Sequence, residues 1–217
     1  MFEHPIELEI RAIILPKTIP SLRKKLLGLG FKSVSLARRT MVMSFGTVSA
    51  HGLDWDEHKK DEIDVRCRIT NGKAEVVTKI GRTSAANRVE ISVPVSLEQM
   101  LGFSQLFGAM PLFTKVGSRQ TENFKKGTIT ISIVSSIPSK LSYIEIERMT
   151  TREKEKKDLV VLRALAKDLG VTLIETHQEY IDFCGLLTKK DDWQFEGTAA
   201  DVKRLKGDIK KTRSDRA

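Results

Sequence analysis

Cysteine is scarce in this chain: Cys67 and Cys184 are the only two among 217 residues, and neither stands in a C-x-x-C pair. A disulfide framework or a zinc–thiolate site is therefore not what organises the molecule. Long apolar runs are missing too. None approaches the roughly 18 residues that cross a bilayer as a helix. Met1-Phe2-Glu3-His4-Pro5 lacks the cationic-then-apolar order of a secretory leader. No membrane partner is expected, and the expected location is the cytoplasm. Two ready-made catalytic signatures are absent as well. Leu27-Gly28-Leu29-Gly30 has no G-K-[ST] ending and is no phosphate loop. His51, Asp54, Asp56, Glu57, His58 and Asp61 crowd the stretch from Ser49 to Glu62 but match no H-E-x-x-H spacing. That stretch reads as a solvated loop, with a lid as the lesser reading.

What the chain does have is charge. Lysine and arginine number 37 against 28 acidic residues, a net +9, which calls for an anionic partner: nucleic acid, an acidic surface or a phosphorylated small molecule. Much of the excess lies at Lys203, Arg204, Lys206, Lys210, Lys211, Arg213 and Arg216, against Asp208 and Asp215. This C-terminal segment, 191–217, reads as a basic solvated helix or frayed tail. That reading is preferred to a nucleic-acid-binding arm.

Along the chain, Ile6 to Arg11 alternates apolar and charged residues as a strand does. A helix is expected from Ile19 to Leu29, then strands at Thr40–Val48, Ile63–Thr70, Ala74–Ile80 and Arg88–Val93. Asn71-Gly72 marks a tight hairpin between two of them. Ser96-Leu97-Glu98-Gln99 opens a helix ending near Gly108. Strands follow at Leu112–Thr121, Thr128–Val134 and Leu141–Glu147. Thr150-Thr151-Arg152-Glu153 reads as a second capping box before a helix from Asp158 to Leu169. Helices from Gln178 to Leu187 and, more weakly, Glu196 to Lys211 complete the pattern. Cys184 reads as part of an apolar helix core. Many antiparallel strands with few helices imply one α+β domain.

The polar faces of these strands carry the chemical information, because they are charged at positions i and i+2. Glu7, Glu9 and Arg11 share one face; Arg66 and Arg68 share another; Lys79 follows on the next strand. Arg88 alternates with Glu90, Lys115 and Arg119 lie four apart, and Glu145 pairs with Glu147. A sheet with one face in water would account for any single strand. It accounts less well for the residue types, because glutamate is a poor strand former and paired like charges repel. A triphosphate with a divalent metal would bridge them. Arginine grips phosphate as a fork, and glutamate oxygens suit Mg²⁺ or Mn²⁺.

Glu7-Leu8-Glu9-Ile10-Arg11 resembles the ExExK signature that opens CYTH, or triphosphate tunnel metalloenzyme, domains. Asp64-Val65-Arg66-Cys67-Arg68 resembles the family's RxR hairpin. Lys79, Arg88-Val89-Glu90, Lys115 with Arg119, and Tyr143-Ile144-Glu145-Ile146-Glu147 follow in the family's order, and Tyr180-Ile181-Asp182 resembles its late tyrosine segment. The resemblance covers Ile6 to about Leu187, within a domain placed at 1–190. It implies a closed antiparallel β-barrel of about eight strands with helices outside. It implies metal ligands Glu7, Glu9, Glu90, Glu145 and Glu147 for Mg²⁺ or Mn²⁺. Phosphate would be held by Arg66, Arg68, Lys79, Arg88, Lys115 and Arg119, with Glu9, Arg11 and Glu147 at the catalytic centre. The implied partner is a triphosphate-bearing small molecule: tripolyphosphate, a nucleoside triphosphate or thiamine triphosphate. The implied activity is metal-dependent hydrolysis, with class IV adenylate cyclisation and non-catalytic binding of polyphosphate, nucleotide or RNA 5′-triphosphate as alternatives. A homodimer is compatible with all three. Arg11, Ser92 and Ser132 depart from the family, standing where a lysine and two carboxylates are usual.

Overall fold

The computed structural model describes residues 6–47, 62–80, 87–110, 112–137 and 139–214. The loop from Ser49, with its candidate ligands from His51 to Asp61, lies outside them. The elements are β1 (Ile6–Ile14), α1 (Ile19–Gly28), β2 (Lys32–Thr47), β3 (Glu62–Thr70), β4 (Lys73–Ile80), β5 (Asn87–Val95), α2 (Leu97–Ala109), β6 (Phe113–Lys126), β7 (Ile129–Ser136), β8 (Ser142–Thr150), α3 (Glu155–Leu169), α4 (His177–Lys190), β9 (Trp193–Gln194) and α5 (Ala199–Ser214). The class is α+β, as expected.

Alternation dictates how the strands are used. Leu8, Ile10, Ala12 and Ile14 are buried on one face of β1, against Ile131, Ile133, Ile144 and Ile146 of β7 and β8. Over this outer face lie α1 with Leu22 and Leu26, and α3 with Leu162, Ala166 and Leu169. A second apolar layer forms where Val42, Cys67, Ile69, Ala74 and Val116 meet Met100 of α2, Phe195, and Leu205 and Ile209 of α5. The apolar residues of both layers thus point outward from the sheet, and the charged residues are left on its concave side.

Every pairing is antiparallel, in the order β2-β3-β4-β5-β1-β8-β7-β6-β9, and β2 also pairs with β6 from Lys32–Lys125 to Phe45–Phe113. The sheet is therefore strongly curled. The expectation of a closed barrel needs correction. Among the described residues β1 and β5 share two register pairs, Glu7 with Arg88 and Leu8 with Asn87. Past Arg88, β5 runs on to Val95 with β4 as its neighbour on one side only. Pro94, which has no N–H to give a ladder, sits in that free stretch, where an edge tolerates it. Among the described residues the result is a curled half-barrel, open along this seam.

Local differences have physical causes. Strand β2 starts at Lys32 rather than Thr40, and β6 continues to Lys126 rather than stopping at Thr121. Polar residues end a strand in a sequence reading, but here the concave face is itself polar. The box at Ser96 and Gln99 forms, whereas the one expected at Thr150 does not. Thr150 belongs to β8, its hydroxyl donates to Asp158, and α3 starts only at Glu155. Asn71 and Gly72 both take positive φ, 51° and 89°, as a tight hairpin turn requires.

Candidate functional site

The concave face lines a cavity of about 310 Å³. Its walls include Glu7, Glu9 and Arg11 of β1, Arg66 and Arg68 of β3, Lys79 of β4, Glu90 of β5, and Glu145 and Glu147 of β8. One strand lining follows from another: in a pleated sheet, inward residues recur every second position, and neighbouring strands present them in register. Nine of the expected site residues are thus brought together.

Carboxylates concentrate where β1 meets β8. Register sets Glu9 directly opposite Glu147 and Arg11 opposite Glu145. Two like charges face each other across the ladder, and Arg11 sits between carboxylates, 2.6 Å from Glu9 and 3.5 Å from Glu145. The Arg11 guanidinium also lies over the Tyr180 ring of α4, 5.2 Å from its centre. Burial, then Glu9, push the Glu145 carboxyl up to about 7. Burial, then Glu145 and Glu9, push Glu147 up to about 8. Burial would raise Glu9 as well, but Arg11 and Lys79 outweigh it and hold Glu9 at about 2. One oxygen of Glu9, Oε1, is buried and takes the Arg11 guanidinium as its partner at 2.6 Å.

Cations gather on the facing strands. Lys79 bonds Glu7 and Glu90, each at 2.8 Å. Arg68 reaches Glu75 at 2.6 Å and Glu90 at 3.2 Å. Arg66 is held by the wholly buried Asp64, two residues before it, with Nε donating at 2.8 Å. Burial would depress Lys79, but Glu9, Glu7 and Glu90 together raise it, so it stays charged. Arg88 stands opposite Glu7 in backbone register. Ser132 stands opposite Glu145, and its hydroxyl donates to Asn123. Ser92 donates to Glu75.

Lys115 and Arg119 lie on the inward face of β6, in the same row as the cavity's Thr121, and Arg119 stands opposite Arg39 in register, but neither is among the residues that line the cavity. Asp192, just after α4, bridges them: 2.9 Å to Lys115 and 2.6 Å to Arg119, its side chain wholly buried. Thr188 of α4 accepts a further bond from Lys115 at 2.8 Å. Between the two cations sits Gly117. A Cβ there would stand 2.5 Å from the Asp192 carboxylate, so the missing side chain is the room Asp192 occupies. Tyr180 and Phe183 of α4 are buried nearby, Tyr180 under the Arg11 guanidinium and Phe183 edge-on to Tyr143.

No protein-family model and no curated protein matches the chain. Solved structures do. The PH1012 protein from Pyrococcus horikoshii OT3 superposes with a TM-score of 0.59 at 18% identity, covering 76% of this chain and 91% of its own. The PH1819 protein of the same organism gives 0.57 at 14%, covering 82% and 99%. A candidate adenylate cyclase from Vibrio parahaemolyticus gives 0.57 at 11%, covering 83% and 99%. The fold is of the CYTH type. At such identities the likeness concerns the fold, and the site rests on this chain's own residues.

Several members of this cavity were not singled out in the sequence. Arg39 and Lys125 line it. The alternation Arg39, Met41, Met43 would have shown Arg39 had the strand been started earlier, and Lys125 was hidden by the same polar-run problem in β6. Asp192 had no signal: only folding brings it to Gly117. As for a metal, the donors at the β1–β8 junction are all carboxylate oxygens, and two of the three carboxyls are raised by burial and then by their neighbours. That chemistry suits a hard cation. Among the described residues no three such donors converge at metal-binding distance, since Glu7 is drawn toward Lys79.

Proposed function

We propose that the chain binds a triphosphate on the concave face of its sheet and hydrolyses it with the help of Mg²⁺ or Mn²⁺. The observation that carries this is the charge gathered in one cavity: Glu9, Glu145 and Glu147 on one wall with Arg11 between two of them, and Arg39, Arg66, Arg68 and Lys125 on others. Guanidinium groups neutralise phosphate oxygens as forks and hold the chain in line. Arg66 is pre-positioned by Asp64 and Arg68 by Glu75, so little side-chain freedom is lost when phosphate arrives. Lys79 would exchange its Glu7 and Glu90 partners for phosphate, freeing Glu7. Glu7, Glu9, Glu145 and Glu147, with Glu90 at the edge, would hold the metal. When bound, the metal supplies Lewis-acid polarisation of the phosphoryl oxygen and a site for water. Arg11 keeps Glu9 ionised and oriented.

Hydrolysis is preferred to cyclisation because the lining of the cavity, among the described residues, contains no aromatic ring; Val34 is its one apolar member. A purine would find no stacking platform there, whereas a phosphate chain finds its full complement. The candidate cyclase among the structural neighbours motivates keeping cyclisation as the second reading. The deciding experiment is phosphate and pyrophosphate release from tripolyphosphate, ATP, GTP and thiamine triphosphate with Mg²⁺, Mn²⁺ or EDTA. Metal-dependent phosphate release, reduced about a hundredfold or more by Glu9→Gln, is the expected result. Cyclic AMP with pyrophosphate would establish the cyclase. Silence across the panel, with tripolyphosphate still raising the melting temperature, would leave binding without turnover.

A further inference from the structure

The helix α5 has two dissimilar faces. Leu205, Ile209 and Thr212 are buried against the sheet. Lys203, Lys206 and Lys210, one and two turns apart, share the opposite, exposed face. A solvated helix usually intersperses acids at i+3 and i+4, where they add stability, and like charges at that spacing subtract from it. On this face there are none. The helix has two acids and both are engaged elsewhere. Asp201 accepts backbone bonds from Glu196 and Thr198 at the helix start. Asp208 accepts from the Trp193 indole at 3.1 Å and lies 3.8 Å from Lys211.

Beside this face is a second cavity, of about 220 Å³, outside the sheet. Arg38, Trp193, Arg204 and Lys211 line it, together with two carboxylates, Asp191 and the Trp193-bound Asp208. The Arg204 guanidinium is stacked over Trp193, 4.1 Å from the ring centre. A row of cations leading to an aromatic ring backed by arginine is what a single-stranded nucleic acid requires: charge for its phosphates and a π-surface for a base. We propose that α5 and the Trp193 cavity bind single-stranded nucleic acid. From Lys203 to Lys210 the helix rises about 10 Å, the span of about three stacked nucleotides. A lipid surface fits less well, because no large apolar residue of α5 is exposed for insertion into it. This surface is separate from the triphosphate cavity, and the two readings stand or fall independently.

The test is fluorescence anisotropy of labelled 12-nucleotide RNA and DNA single strands ending in a 5′-hydroxyl, which offer the triphosphate cavity nothing to grip. Binding should weaken with salt with a log–log slope of about −2 to −3, as three to four phosphate contacts predict. The triple variant K203E/K206E/K210E should lose at least tenfold in affinity while its melting temperature and its response to tripolyphosphate stay unchanged. An abasic strand of equal length should bind at least about fivefold more weakly than the normal one. Arg204→Ala should lose that preference for bases while keeping most of the salt slope. Failure of any strand to bind at low salt, or equal binding by the triple variant, overturns the proposal. So does binding of anionic phospholipid vesicles in preference to the strands.

Discussion

Glu9 and Glu147 oppose each other across β1 and β8, with Glu145 beside them, and the bare protein accommodates them by keeping protons. Glu145 and Glu147 titrate near 7 and 8 in the folded chain, against 4.5 for a free glutamate. Between these values the folded state holds more protons than the unfolded one, so stability falls as pH rises. Their contribution is complete below about pH 4.5 and is lost as pH passes 7 and 8. In EDTA the melting temperature should therefore drop by several degrees from about pH 5.5 to 8.5, measured by calorimetry. Mn²⁺ should flatten or reverse that slope, because it binds the ionised carboxylates. Glu147→Gln removes the group that most resists ionisation. It should raise the stability of the metal-free protein at pH 8 by about 1–2 kcal/mol while abolishing metal-dependent turnover. A variant both less stable and inactive would mean the side chain is structural.

At the scale of elements, the segment from α4 to β9 closes one end of the sheet through an ion triad. Asp192 is wholly buried between Lys115 and Arg119. Removing one member of such a cluster leaves uncompensated buried charge. Asp192→Asn should cost about 3–5 kcal/mol in urea unfolding, far more than loss of the exposed Arg163–Glu175 pair, which is worth about 0–1 kcal/mol. Gly117→Ala would push a methyl group into the same carboxylate and should cost about 1–3 kcal/mol. If Lys115 and Arg119 instead grip substrate, as the family resemblance implies, Asp192→Asn should also change KM for tripolyphosphate. An unchanged KM would assign both cations to holding α4 in place.

Over the whole molecule, the curled sheet is supported from two sides, and the last segment belongs to one of those supports. Phe195, Leu205 and Ile209 complete the second apolar layer with Val42, Val116 and Met100. Truncation after Lys190 should therefore uncover that layer and give a protein that aggregates or melts well below the full chain, measured by light scattering on heating. Retention of a cooperative melt near the original temperature would show 1–190 folding alone. The sequence by itself determined the class, nearly every strand and helix, and nine of the charged residues that line the cavity. Those follow from period-two alternation and local capping, which neighbouring residues dictate. Only the tertiary structure decided where Lys115 and Arg119 end up, that the β1–β5 seam is open, and that the C-terminal segment is packed rather than frayed. Each of these depends on contacts between residues far apart in the chain, as when Asp192 reaches the gap at Gly117. No local pattern records such a meeting, because its energy comes from burial and charge pairing that exist only once the sheet has curled.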